Sequence, residues 1–171
     1  MKGSNIILVG FMGTGKTAAG KILADAIGFK FIDTDLMVEA EAKKSIPDIF
    51  RLEGEPAFRK YEADAIKRIC HLRNYVVATG GGVVMMDENI SNMKQAGIVV
   101  CLTATPEVVL ERTRRNDYRP LLQTREPLKK IQSLLKIREP QYLKADYTID
   151  TSKLSVDAVV QTIISLWTDR E

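Results

Sequence analysis

The chain alternates short, continuously apolar runs with longer stretches in which apolar residues return every three or four positions. The short runs are Ile6-Ile7-Leu8-Val9, Phe29 to Ile32, Tyr75-Val76-Val77-Ala78, Ile98 to Leu102 and Tyr147-Thr148-Ile149. They are rich in β-branched residues and mostly lack in–out alternation, the pattern of strands buried on both faces of a parallel sheet. Residues 16–27 place Ala19, Ile22, Leu23, Ala26 and Ile27 on one helix side, and Gly28 follows as a stop. Thr105-Pro106-Glu107 combines an N-cap, a proline at the first helical position and an acid in the first turn. Ser45-Ile46-Pro47-Asp48 and Glu55-Pro56 open two further helices. A last one begins near Ser155 and buries Val159, Val160, Ile163, Ile164 and Trp167. Strand–helix alternation of this kind predicts an α/β sandwich with helices on both faces of the sheet. From Arg112 to Glu126 the chain is polar and crowded with arginines, so this stretch is expected to run over the surface between two helices. Neither a composition shift nor an internal repeat divides the chain, which predicts one domain over residues 1–171.

Composition narrows the classes. With 171 residues, 45% hydrophobic and 27% charged, the chain can bury one sizeable core. Lys and Arg number 25 against 22 Asp and Glu, a net charge of +3 spread along the chain, which excludes a polybasic arm or an acidic tail. Aromatic residues make up only 6%, too few for a base-stacking platform, so no nucleic-acid partner is expected. Cys70 and Cys101 form neither a disulfide framework nor zinc-finger spacing, and the lone His71 adds no metal cluster. Both thiols are expected to be inert. Met85 and Met86 are expected to pack, and Lys129, Lys130 and Lys136 to form a solvated helix face. No apolar run is long enough to span a membrane and no secretory leader is visible, which together predict a cytoplasmic protein without a membrane partner.

Candidate chemistry begins directly after the first strand. Gly10-Phe-Met-Gly-Thr-Gly15-Lys16-Thr17 matches the phosphate-loop pattern G-x-x-x-x-G-K-[ST]. Its glycines let successive N–H groups curl around phosphate oxygens, and the following helix adds its positive N-terminal end. Lys16 is expected at the β- and γ-phosphates and Thr17 at Mg²⁺. An Asn-Lys-x-Asp run for reading guanine is missing, which favours a compact phosphotransferase over a GTPase.

The second strand ends in Asp33-Thr34-Asp35, on the sheet edge where ligands bind. An acid there suits Mg²⁺ or an acceptor hydroxyl, and equally suits the cap of the next helix. Arg59, in Gly54-Glu55-Pro56-Ala57-Phe58-Arg59-Lys60-Tyr61-Glu62, is a ligand candidate that could also pair with Glu55 or Glu62 on a solvated face. Gly80-Gly81-Gly82 closes the third strand, either for close approach to a ligand or as a tight turn.

Taken in order, Gly10 to Thr17, Asp33-x-Asp35, Gly54-Glu55-x-x-Phe58-Arg59-x-x-Glu62, Gly80-Gly81-Gly82, Arg119-Pro120-Leu121-Leu122 and Arg138-x-Pro140-x-Tyr142 resemble the shikimate kinase family almost end to end. The resemblance implies ATP-dependent phosphorylation of the shikimate 3-hydroxyl on the way to chorismate and aromatic amino acids. It implies a P-loop three-layer sandwich with a five-stranded parallel sheet ordered 2-3-1-4-5 and a lid at about 112–126. Shikimate and ATP are the partners it implies, and a monomer is expected. By the same resemblance Asp35 binds the substrate hydroxyls and serves as base, with Lys16 and Arg119 as the other catalytic residues. Arg59, Arg138 and Gly80 to Gly82 hold shikimate. Gly13, Thr14, Gly15, Lys16, Thr17, Ala18, Arg112 and Arg119 hold ATP, and Thr17 and Asp33 hold Mg²⁺. Arg112 is expected against the adenine and Arg119 in the lid. Two positions depart from the family pattern, Ala18 and Gln141, and from Thr151 to Ser155 the divergence is large enough that no ligand is assigned there. A related small-molecule kinase acting on gluconate or a nucleoside monophosphate, and a nucleotide-binding regulatory module, are the competing readings.

Overall fold

A computed structural model describes residues 5–114 and 124–169. Five strands, β1 (Asn5–Val9), β2 (Lys30–Asp33), β3 (Tyr75–Ala78), β4 (Gly97–Thr103) and β5 (Tyr147–Asp150), form one parallel sheet in the order β2-β3-β1-β4-β5. The helices among the described residues are α1 (Lys16–Ile27), α2 (Thr34–Ala42), α3 (Ile46–Leu52), α4 (Glu55–Ile69), α5 (Asp87–Ala96), α6 (Pro106–Thr113), α7 (Pro127–Tyr142) and α8 (Val156–Thr168).

The central strands β1, β3 and β4 are buried on both sides, as their apolar pattern predicted, while the edge strand β5 leaves Thr148 and Asp150 exposed. Alternate residues enter different cores. Ile7, Val9, Val77, Val99 and Cys101 meet Ile66, Ile90, Met93, Val109 and Ile131 from α4 to α7. Ile6, Leu8, Val76, Ile98, Val100 and Leu102 meet Ala19, Leu23, Val159, Val160 and Ile163 from α1 and α8. Each large side chain so buried contributes on the order of 1.5–3 kcal/mol, which makes this three-layer sandwich the dominant source of stability. A third, smaller cluster (Val38, Ala42, Ile49, Phe58 and Ala65) joins α2, α3 and α4 beyond the edge strand.

Some expectations shift. β2 is an edge strand and stays half-exposed. On α1 the buried stripe runs through Ala19, Gly20, Leu23 and Ala24, while Ile22 and Ala26 face solvent, because Gly20 lets the helix close onto Phe31. Met85 and Met86 are 39% and 37% exposed rather than packed. α6 continues two residues into the polar stretch. Arg112 is tied down, and Thr113 is buried with its hydroxyl donating to the Val109 carbonyl at 2.7 Å. Residues 115–123, the greater part of the expected lid, lie outside the described residues.

Candidate active site

Beyond Val9 the chain curls through Gly10, Gly13 and Gly15 at φ of 137°, 75° and 95°, a region that favours a residue without Cβ. Gly15 occupies the N-cap of α1 and no side chain caps that helix, so the first-turn N–H groups, Ala18 among them, suit an anion. Lys16 is buried to 9% exposure, and its ammonium donates to the carbonyls of Gly10 at 2.7 Å and Phe11 at 2.8 Å. Thr14, also buried, braces the curl by donating to the Phe11 carbonyl at 2.8 Å. At the mouth of the loop the Thr17 hydroxyl donates to Asp33 Oδ2 at 3.1 Å. One hydroxyl and one carboxylate side by side are oxygen donors of the kind Mg²⁺ prefers. Mg²⁺ usually takes few protein ligands and completes its shell with water and phosphate. The pair fits such an ion.

The acceptor side is organised by the triple glycine. Register sets Asp33 beside Ala78, so β2 and β3 leave the sheet together, and the Gly80 N–H donates to the buried Thr34 hydroxyl at 3.3 Å. A Cβ on Gly80 would lie 2.8 Å from Glu62 Oε1 and 2.9 Å from Asp35 Oδ1. On Gly81 it would lie 3.4 Å from an Arg138 guanidinium nitrogen and 3.5 Å from both the Gly10 carbonyl and the Met12 nitrogen of the phosphate loop. On Gly82 it would meet the Arg59 guanidinium at 2.5 Å. Three successive glycines thus touch two acids, one arginine and a second arginine in turn. The backbone needs to come this close, and this is no plain turn.

Each of these side chains is held. The Arg59 guanidinium donates to Glu62 Oε2 at 2.9 Å and to Glu55 Oε1 at 2.9 Å, and it lies 5.3 Å from the Phe58 ring centre. Arg138 is 6% exposed and sits 5.4 Å from the Phe11 ring centre. Tyr142 donates to the Gly81 carbonyl at 2.6 Å, and burial pushes its phenol up to about 12. Glu62 is 1% exposed, and its Oε1, facing Gly80, has no hydrogen-bond partner among the described residues. Burial pushes the Glu62 carboxyl above its ordinary range. Arg59 pulls the other way, and the nearby Asp35 adds to the rise.

Arg112 leaves α6 towards the other side of the phosphate loop. Its guanidinium donates to the Gly13 carbonyl at 3.2 Å, the Thr151 hydroxyl at 3.0 Å and the Thr151 carbonyl at 2.8 Å. Beside it opens a mostly apolar cleft of about 200 Å³ lined by Thr14, Gly15, Ala19, Arg112, Thr151, Leu154, Val156 and Val159. Its composition and its place next to the phosphate loop suit a nucleotide base.

The described site residues fall into three adjoining groups, while Arg119 lies outside the described residues. The capping reading of Asp33 holds, since Oδ1 accepts from Asp35 N–H at 3.0 Å, while Oδ2 accepts from Thr17 at the mouth of the phosphate loop. Arg59 pairs with Glu55 and Glu62, yet the Glu62 side is buried rather than solvated. Three residues of the site lie beyond those assigned from the sequence: Glu62, Thr151 and Leu154. In the sequence Glu62 reads only as a partner for Arg59, although an acid one turn along that helix can be followed into the site. From Thr151 to Ser155 the divergence leaves no ligand assigned, yet Thr151 directly follows β5 on the ligand edge of the sheet and Leu154 lines the cleft beside it.

A profile of the family described as Shikimate kinase matches residues 12–168. A curated shikimate kinase of Thermoanaerobacter pseudethanolicus is 46% identical over 163 residues, 95% of either chain. The crystal structure of an Acinetobacter baumannii shikimate kinase in complex with shikimate superposes with a TM-score of 0.93 at 40% identity, covering 99% of this chain and 95% of that one. A shikimate kinase from Aquifex aeolicus gives 0.81 at 32% identity, covering 97% of each.

Proposed function

The chain belongs to the shikimate kinase family, and from that premise we propose how its residues divide the work. The reaction moves the γ-phosphoryl group of ATP to the shikimate 3-hydroxyl, giving 3-phosphoshikimate and ADP, a step towards chorismate and the aromatic amino acids. ATP lies with its phosphates in the loop from Gly13 to Ala18 and its base in the cleft beside Arg112. Lys16 leaves the Gly10 and Phe11 carbonyls for the β- and γ-phosphates, exchanging two neutral acceptors for charged ones. Thr17 and Asp33 would hold Mg²⁺, which when bound neutralises charge spread over the transferring group. Arg119 acts on the same phosphates from the lid.

Shikimate enters on the triple-glycine side. Arg59 and Arg138 grip its carboxylate with planar forks that lysine cannot reproduce. Gly80 to Gly82 supply a floor without side chains. Asp35 orients the acceptor hydroxyl and takes its proton as the phosphoryl group arrives. Closure of the arginine-bearing lid excludes water as a competing acceptor. The protein works as a single-domain monomer in the cytoplasm. Its cysteines, Cys70 and Cys101, are free, which suits a reducing compartment.

The observation that carries this reading is the convergence of Asp35, Glu62, Arg138 and Arg59 on three consecutive glycines that also touch the phosphate loop. It is tested with purified protein, ATP, Mg²⁺ and shikimate. ADP release should depend on shikimate and not on gluconate or nucleoside monophosphates, and Asp35→Asn should bind ATP normally while turning over about 10²–10⁴-fold more slowly. Near-normal turnover in Asp35→Asn would remove Asp35 as the base.

A further inference from the structure

Asp33 ends β2 and caps α2, and its two carboxylate oxygens face different partners. Oδ2 accepts the Thr17 hydroxyl at 3.1 Å, on the phosphate-loop side. Oδ1 accepts the backbone N–H of Asp35 at 3.0 Å, in the first turn of α2. The next residue, Thr34, is fully buried and accepts from the Gly80 N–H at 3.3 Å. The backbone under Asp35 is thus fixed from two directions, by Asp33 in front and Gly80 beside it. Asp35 Oδ1 lies only 2.9 Å from where a Gly80 Cβ would stand, so a small rotation of the first turn would move that carboxylate out of the cavity or into its floor.

We infer that Asp33 is a positioning residue for the acceptor, aiming Asp35 at shikimate through Oδ1 independently of any metal, while Oδ2 serves the phosphate side. This rests on Asp35 being the shikimate-binding acid. One side chain then gives both half-sites a common reference, and the distance between base and phosphoryl donor is held by a single carboxylate. The two duties need different chemistry. Capping needs only an acceptor oxygen, which asparagine supplies as well as aspartate. Serving Mg²⁺ depends on the negative charge.

That difference makes the inference testable by calorimetric titration of shikimate into the full chain without nucleotide or Mg²⁺. Asp33→Asn should bind shikimate within twofold of the unchanged protein, yet need on the order of tenfold more Mg²⁺ for half-maximal turnover. Asp33→Ala should weaken shikimate binding about fivefold, the typical effect of a lost cap. Asp33→Val drops the same acceptor and serves if Asp33→Ala does not fold. Shikimate binding undiminished in Asp33→Ala or Asp33→Val overturns the inference, as does an Asp33→Asn loss as large as the alanine one. Asp35→Ala is the control. If it binds shikimate normally, the acceptor assignment itself is wrong, and if it alone loses binding, only the positioning role fails.

Discussion

Gly82→Ala is the most demanding test of the acceptor geometry, because it adds one methyl group and no charge. Gly82 sits at φ −99° and ψ −3°, a conformation alanine accepts, so the backbone is not the obstacle. The new Cβ would lie 2.5 Å, 2.8 Å and 2.9 Å from Nη1, Nη2 and Cζ of Arg59. Ordinary contact begins near 3.4 Å, so the guanidinium must retreat by about 0.9 Å. It is not free to do so cheaply. A displacement of that size away from Glu62 would stretch their 2.9 Å hydrogen bond to about 3.8 Å, past bonding distance. The fork that remains is misplaced for a carboxylate, and a hydrogen bond to a charged group is worth about 1.5–3 kcal/mol. At 1.4 kcal/mol per tenfold, the shikimate dissociation constant should rise about 10- to 150-fold. Nothing in the ATP cleft touches Gly82, so ATP affinity should stay within twofold. Calorimetric titration of each ligand and the shikimate dependence of ADP release measure both. Shikimate affinity within threefold of the unchanged protein, or an equal loss for ATP, would refute the geometry.

Glu62→Gln should change the pH dependence of stability. Because burial raises the folded carboxyl above its unfolded value, the protein holds an extra proton in that window, and stability present below about pH 4.5 is lost as pH rises through the folded value. The Tm of the unchanged protein should therefore fall relative to that of Glu62→Gln as pH climbs above 4.5, and parallel curves would contradict the shift. Thr151→Val removes the hydroxyl that donates towards the Thr14 and Thr103 carbonyls and accepts from Arg112. Unpaired buried groups of this kind cost about 1–3 kcal/mol, so ATP binding should weaken at least fivefold while shikimate binding holds, and equal weakening of both would count against the base cleft. Cys101 is wholly buried with its thiol pushed up to about 12, so a thiol reagent at pH 8 should label no more than one cysteine, Cys70, until the chain unfolds.

Much of this was legible in the residues because the chemistry there is local. The phosphate loop needs glycines at fixed offsets from a lysine and a hydroxyl, and the offsets survive any packing. Continuous apolar runs marked β1, β3 and β4 because central strands have no solvent face. Local spacing could not reveal what depends on neighbours. α5 carries only Ile90, Met93 and Ala96 as buried apolar residues among polar ones, and no side chain caps it. Ile22 and Ala26 look like core on a helical wheel, but the approach of Gly20 to Phe31 turns the helix away from them. The burial of Glu62 arises because α4 lies over the triple glycine, a contact between residues 18 positions apart.

The way the helices begin explains why the donor site sits where it does. Four helices leave the carboxyl edge of the sheet directly after a strand: α1, α2, α6 and α8. In three of them a side chain satisfies a first-turn N–H: Asp33 for α2, Thr105 for α6 and Ser155 for α8. Only α1 begins at a glycine, Gly15, with no such bond. Space is not what keeps a capping residue out, since a Cβ there would meet nothing within 4 Å. The backbone is, because φ of 95° strains any L side chain. The curl that points N–H groups inward is thus the same feature that bars a cap from competing for them. An anion at that end gains the donors, the helix dipole and Lys16 together, and Asp33, two strands across the sheet, reaches Thr17 with one oxygen and caps α2 at Asp35 N–H with the other. Donor and acceptor sites are neighbours because β1, β3 and β2 are consecutive in the sheet, and the chemistry occupies the edge where their chains exit.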